Sequence, residues 1–399
     1  LSNQAGIIFF MIQRDASAIV RRAAREFPVV AVTGPRQSGK STLCRALFPD
    51  HAYASLEAPD TRQFATDDPR GFLSGFPDGA ILDEIQNCPQ LPSYLQGIVD
   101  ADRRHGRWIL TGSQHLAVMA SVTQSLAGRC GIIHLLPLSY GEMVHFPKYP
   151  TTLDQVLLTG GYPRILDRQL NPSTWLSSYV ATYIERDVRM ISNIGDLSVF
   201  QKFVELCAGR TGQMVNLSSL AGDCGISQPT AKAWLSVLEA SFITFRLPAF
   251  STNVRKRLVK SPKLHFYDSG LVCWLLGIRN TDHLRDHPLR GAIFESWVTS
   301  EILKHRVHRG EGGKIYFYRD QGGVEADLVI DHADHLDLLE AKSGQTVAGD
   351  AFASLRKISA EFTDSRKCRT FLIYGGSSQQ KRSNATVLPW NCVDDHNWT

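Results

Sequence analysis

The residues whose types and spacing point most directly to chemistry are Gly34-Pro35-Arg36-Gln37-Ser38-Gly39-Lys40-Ser41, which fit the pattern G-x-x-x-x-G-K-[ST]. The glycines let a backbone wrap closely round phosphate oxygens, and the N–H groups that open the following helix point at the same anion. In that chemistry Lys40 reaches the β- and γ-phosphates of ATP, Ser41 ligates Mg²⁺, and Thr42 completes the binding stretch. The partner such a loop needs is a strand ending in an acid, and Ala80-Ile81-Leu82-Asp83-Glu84 supplies one. Asp83 would hold the Mg²⁺, directly or through water, and Glu84 would orient the attacking water. Adjacent Asp and Glu favour hydrolysis over binding alone. Plainer accounts of the same residues are a Gly-rich strand–helix turn that holds nothing and an acidic helix cap.

Trp108-Ile109-Leu110-Thr111-Gly112-Ser113-Gln114 is another apolar run ending in small polar groups. Thr111, Ser113 or Gln114 could sense the γ-phosphate, an arrangement that resembles the sensor strand of AAA-type ATPases. Arg129 is the candidate for stabilising transferred charge, with Arg186, beside Asp187, as the alternative; a plain salt bridge explains either equally well. Taken together, AVTGPRQSGKSTL, ILDEIQ, ILTGSQ, SLAGR, GGYPR and the segment Tyr183-Ile184-Glu185-Arg186-Asp187 resemble a prokaryotic family of AAA-superfamily ATPases. Members of that family carry a C-terminal domain of unknown function. The resemblance runs from about Met11 to Tyr374 and implies ATP binding, with hydrolysis expected.

A second constellation is Asp327 followed by Glu340-Ala341-Lys342. It resembles the D…[DE]-x-K signature of restriction-endonuclease-like folds, although that spacing arises by chance about once in a chain of this length. If the flanking runs form a hairpin turning near Ala333-Asp334, Asp327 lies opposite Glu340, and Lys342 shares Glu340's face. Two opposed carboxylates repel unless a cation sits between them, which Mg²⁺ or Mn²⁺ would satisfy. Lys342 could then act catalytically on the attacking water. Glu295, on the preceding helix, is a fourth acidic member by the same resemblance, and Glu325 shares Asp327's face. A charged sheet edge, or a nuclease-like fold that does not cleave, fits the same residues. The pairs His283/His287, His305/His308 and His332/His335 lack the cysteines or the H-E-x-x-H glutamate of a zinc site and read as solvated or capping residues.

Between these sites, Leu217 to Thr230 reads as helix, tight turn, helix, with Ser227 as cap and Pro229 in the first turn. Ala231, Trp234, Leu235 and Leu238 form the buried stripe, and a strand pair beyond them would make a wing. No acid lies between Glu239 and Asp268, while Arg246, Arg255, Lys256, Arg257, Lys260 and Lys263 are basic. That suits a grip on the phosphates of DNA, through Arg255, Lys256 and Arg257 above all; a protein-contact module is the other reading.

The elements that must position these residues follow from alternating short apolar runs and helical patterns. The expected fold is α/β: a P-loop NTPase parallel sheet with helices on both faces, then a winged-helix region, then an α/β restriction-endonuclease-like domain. The expected boundaries are 1–10 as upstream residue outside the fold, 11–148 for the ATPase, 149–205 for a helical linker or lid, 206–290 for the winged helix, and 291–399 for the last domain. The chain has 399 residues, 43% hydrophobic and 21% charged, which argues against disorder as its main state. Its formal net charge of +4 is too small to imply nucleic acid by itself. No apolar run reaches membrane-spanning length, and eight scattered cysteines suit a reduced cytoplasmic setting. A homo-oligomer is left open. The composite reading is an ATP-hydrolysing, DNA-engaging protein, the alternative being a non-catalytic ATP-dependent switch that binds a protein partner.

Overall fold

The computed structural model of the chain describes residues 12–102, 104–113, 125–184, 196–251, 261–312, 314–362, 366–382 and 385–399. The first layer is a parallel sheet of β1 (Val29–Thr33), β2 (Ala52–Ser55), β3 (Ala80–Asp83), β4 (Trp108–Gly112) and β5 (Cys130–His134), in the order β2-β3-β4-β1-β5. The strands β1, β3 and β4 are buried throughout, while the edge strand β2 is half exposed.

Alternation along each strand sends its side chains to two separate cores. Val30, Val32, Ile81 and Ile109 pack with Val20 of α1 (Ser17–Glu26) and Leu43 of α2 (Lys40–Leu47). On the other face Val29, Ala31, Leu82 and Leu110 meet Ala65 of α3 (Pro59–Asp67), Phe72 of α4 (Pro69–Ser74) and Leu95 of α5 (Leu91–Ala101). Each fully buried Val, Ile or Leu contributes on the order of 1.5–3 kcal/mol, so both layers hold the central strands firmly. The expected sheet with helices on both faces is the one observed.

A helical segment follows: α6 (Tyr140–Met143), α7 (Leu153–Thr159), α8 (Pro163–Asp167), α9 (Pro172–Tyr179) and α10 (Leu197–Ala208). Capping boxes at Ser139 and Thr152 fix where α6 and α7 begin. Next come β6 (Gln213–Met214), α11 (Leu217–Cys224), α12 (Gln228–Ala240), β7 (Thr244–Leu247) and β8 (Lys263–Phe266), with β8 between β6 and β7 in an antiparallel sheet. Gly225 ends α11 in a left-handed conformation and the Ser227 side chain accepts from Thr230 N–H at the start of α12. Ala231, Trp234, Leu235 and Leu238 are buried, as their spacing predicts.

After α13 (Ser269–Leu275) and α14 (Thr281–Asp286), the long helix α15 (Arg290–Arg309) leads into a six-stranded sheet with α16 (Ala353–Phe362) packed on it. Its strands are β9 (Ile315–Arg319), β10 (Glu325–His332), β11 (His335–Lys342), β12 (Lys367–Tyr374), β13 (Gln380–Arg382) and β14 (Ala385–Pro389), in the order β13-β14-β12-β11-β10-β9. The β10–β11 hairpin pairs Leu328 with Leu339 and Ile330 with Asp337, the register expected from a turn at Ala333-Asp334. The β13–β14 pair is an addition that the sequence pattern did not reveal.

Candidate functional site

Parallel pairing puts the carboxyl ends of β1, β3 and β4 on one edge of the sheet, since Thr33 is level with Gly112 and Leu82 with Leu110. The chain leaving β1 turns at Gly34, whose φ is +150°. A Cβ there would lie 2.1 Å from the Leu135 carbonyl oxygen, so only glycine fits this crossing. The loop ends at Gly39, with φ +94°, which caps α2 without offering a side-chain acceptor. The first N–H groups of α2 are therefore left without a side-chain cap, the state in which they can take an anion.

Lys40 is buried, and its ammonium donates to the carbonyl oxygens of Gly34 at 3.1 Å and Pro35 at 2.7 Å. Burial pushes it down to about 8, against the pull of the Glu84 and Asp83 charges. Ser38 is fully buried in the loop, and its Oγ has no hydrogen-bond partner. Ser41 Oγ donates to Asp83 Oδ1 at 2.6 Å. Asp83, also buried, accepts in addition from Thr111 Oγ1 and, at 2.8 Å, from the Tyr53 hydroxyl. Glu84 sits just past β3 in a left-handed conformation, φ +57°, which turns its side chain out of the strand. Its carboxylate accepts from Gln86 Nε2 and, at 3.1 Å, from Ser113 Oγ. One glycine crossing, a left-handed glycine cap, an uncapped helix start, a buried ammonium and a Ser–Asp hydroxyl–carboxylate pair fit a triphosphate with its divalent ion.

Several contributors escaped the sequence reading. Arg14 is buried, and its guanidinium donates to Ser38 O at 2.7 Å, Leu136 O at 2.8 Å and Glu142 Oε1 at 2.8 Å, bracing the loop from below. Pro163 of the GGYPR run comes within 4.0 Å of the Cβ position at Gly39. Tyr53 lies on β2 and carries no motif, whereas Gln86 ends the ILDEIQ run without a role of its own there. Arg129 requires a correction. It precedes β5, where its carbonyl accepts from Val29 N, and it donates to Asp100 at 2.6 and 3.0 Å. It thus sits at the amino edge of the sheet, a strand's length of about 16 Å from the loop of its own chain. Gln114, Arg186 and Asp187 lie outside the described residues.

The second constellation is also brought together, but differently from the expectation. Asp327 Oδ2 accepts from Ala341 N at 2.9 Å, and Lys342 Nζ donates to Glu340 Oε1 at 2.6 Å. Beside them lies a cavity of about 410 Å³ lined by Glu295, Asp327 and Lys342 among others. The cation among the acids is Lys263 of β8, 4% exposed, with Nζ 2.7 Å from Glu295, 2.5 Å from Glu325 and 3.7 Å from Asp327. Glu295, Asp327 and Glu340 were expected to hold Mg²⁺ or Mn²⁺; Lys263 instead stands between Glu295 and Asp327, while Glu340 pairs with Lys342. The basic stretch is corrected at the same time. Lys263 is internal and not available to phosphate, while Arg246 is exposed and paired with Glu239. Arg255, Lys256, Arg257 and Lys260 lie outside the described residues.

Residues 26–144 match the family described as an AAA domain. With the sheet and loop, that match makes this part of the chain similar to AAA domains. Residues 150–282 and 290–393 each match a domain of unknown function (DUF8612 and DUF4143). Uncharacterized proteins of Mycobacterium tuberculosis and Mycobacterium bovis are each 27% identical over 380 residues, covering 94% of this chain and 82% of theirs. Among solved structures, the Walker-type ATPase of Pyrococcus abyssi is 14% identical, covering 66% of this chain and 96% of its own, with a TM-score of 0.46. AMPPCP-bound DnaA from Aquifex aeolicus is 11% identical, covering 57% and 89%, with a TM-score of 0.31. Among the described residues no helix is long and apolar enough to cross a membrane.

Proposed function

We propose that the chain binds ATP with Mg²⁺ in the loop Gly34–Thr42 and hydrolyses it. The observation that carries this reading is the 2.6 Å contact between Ser41 and Asp83, which joins the loop to an acid on a strand two places away in the sheet. The ion, when bound, neutralises phosphate charge. Main-chain N–H groups at the start of α2 receive the phosphate oxygens, and Lys40 exchanges its two carbonyl partners for them. Ser41 and Asp83 hold the ion, Thr111 fixes the Asp83 carboxylate, and Glu84 orients water. Ser113 and Gln86 set the direction of the Glu84 carboxylate. The test is ATP turnover and binding in two variants. Glu84→Gln keeps ATP binding and loses turnover by at least about 100-fold, whereas Lys40→Ala loses both. ATP binding without turnover in the wild type would support the non-catalytic switch instead, and turnover unchanged in Glu84→Gln would remove Glu84 from the reaction.

DNA is the partner we propose for this ATPase, on the α11–α12 pair with its adjoining sheet and on the charges of Arg255, Lys256 and Arg257. The support is narrower than the sequence alone suggested, because Lys263 is spent on an internal pair and Arg246 on a surface pair with Glu239. Replacing the three residues by Ala should weaken DNA binding and flatten its salt dependence by up to about 3 in log–log slope. An unchanged slope excludes them as the contact.

A further inference from the structure

Four carboxylates converge where the middle and C-terminal sheets meet: Glu295 from α15, Glu325 and Asp327 from β10, and Glu340 from β11. Such a group is not stable uncompensated, because each buried negative charge without a partner costs several kcal/mol. Three cations from the same chain face it. Lys342 reaches Glu340 at 2.6 Å, Arg319 reaches Glu325 at 3.1 Å, and Lys263 reaches three acids at once. Lys263 arrives from a different element, the central strand of the antiparallel sheet, where it is level with Leu247 and Met214. Its stem passes the Phe317 ring, with Nζ 5.5 Å from the ring centre. The residue is therefore buried, fixed by its strand on both sides, and unable to swing out without moving that sheet.

We infer that Lys263 is the resident cation of this cluster: it takes the place a divalent ion would take between Glu295 and Asp327, and it locks the middle sheet to the C-terminal one. One ammonium serving three carboxylates is held strongly in its charged form, while the acids remain under-compensated. Burial accordingly pushes Glu295 up, and Asp327 adds to that, with Lys263 opposing both. A divalent ion placed there would bring positive charge against the ammonium, so the two exclude each other. The Glu295, Glu325 and Asp327 part of the cluster is thus an ionic joint while β8 is seated. This inference does not depend on nucleotide binding at the N-terminal loop.

The test is Mn²⁺ titration of the nucleotide-free full chain, followed by the paramagnetic resonance signal of free Mn²⁺. Wild type and Asp327→Asn should bind Mn²⁺ identically. Lys263→Met should gain one equivalent of binding, which Lys263→Met/Asp327→Asn loses, and its depressed melting temperature should rise by at least about 3 °C with Mn²⁺. Asp327-dependent Mn²⁺ binding in the wild type overturns the inference, as does a folded Lys263→Met that gains none. If Lys263→Met does not fold, the wild type against Asp327→Asn decides alone: equal binding supports the joint, and unequal binding refutes it.

Discussion

Asp83 is the centre of the proposed phosphate chemistry, and three hydroxyls from three elements point at its carboxylate: Ser41 of α2, Tyr53 of β2 and Thr111 of β4. Tyr53 holds the oxygen that Ser41 does not use. Tyr53→Phe should therefore slow turnover by no more than about tenfold and leave stability within about 1.5 kcal/mol, measured by steady-state kinetics and urea unfolding. Arg14 and Glu142 form the other decisive pair. Burial raises the Glu142 carboxyl, but Arg14 beside it, with His308 and the Ser139 N–H, brings it down to about 2. A carboxylate lowered on folding adds stability that is complete above its unfolded value near 4.5 and is lost as pH falls toward 2. Acid unfolding of the wild type should show this loss between pH 4.5 and 2, whereas Glu142→Gln is already weaker at pH 7 and flatter across that window. Lys40, Ser41, Asp83 and Glu84 were legible in the sequence because they are contiguous motifs. Arg14 was not, since its partner lies 128 positions away. Lys263 was misread for a related reason: within a one-signed stretch it looks solvated, and its acids come 32 positions later or more.

At the scale of elements, the strands followed from short apolar runs set between helical patterns, and the hairpin from a turn between two of them. The β10–β11 register was readable because the Ala333-Asp334 turn fixes the count. The strands β13 and β14 were not, being short and partly polar, with pairing that depends on β12 already being in place. The helix α12 was legible from its stripe. Trp234 stands edge-on to Phe200 and Phe203, with ring centres 5.2 and 5.4 Å apart. Trp234→Ala should cost about 3–5 kcal/mol in unfolding while leaving the Lys40 site intact at low temperature. At the turn out of β1, Gly34→Ala places a methyl group against the Leu135 carbonyl. The expected result is loss of nucleotide binding with a lowered melting temperature, since the loop must move to relieve the contact.

In the whole molecule, one segment ties the ATPase to everything after it. Leu136 N donates to His308 Nε2 at 3.1 Å, Lys304 donates to Leu138 O at 3.0 Å, and Tyr140 N donates to Glu301 at 2.7 Å. All three partners lie on α15, whose other end carries Glu295 into the carboxylate cluster. The Leu135 carbonyl in that segment is also the one that crosses Gly34. Loop, long helix and C-terminal sheet thus share one framework, and the chain should melt in a single transition raised by ATP with Mg²⁺. That connectivity was beyond the sequence, because the groups involved are polar residues on a helix that reads as ordinary core. The most direct test of the account is equilibrium ATP binding, with and without Mg²⁺, to wild type, Lys40→Ala and Asp83→Asn. The account predicts that Mg²⁺ tightens wild-type binding at least about tenfold, that Asp83→Asn loses this gain, and that Lys40→Ala binds neither form. No detectable wild-type binding, or binding indifferent to Mg²⁺ and to both substitutions, would contradict it.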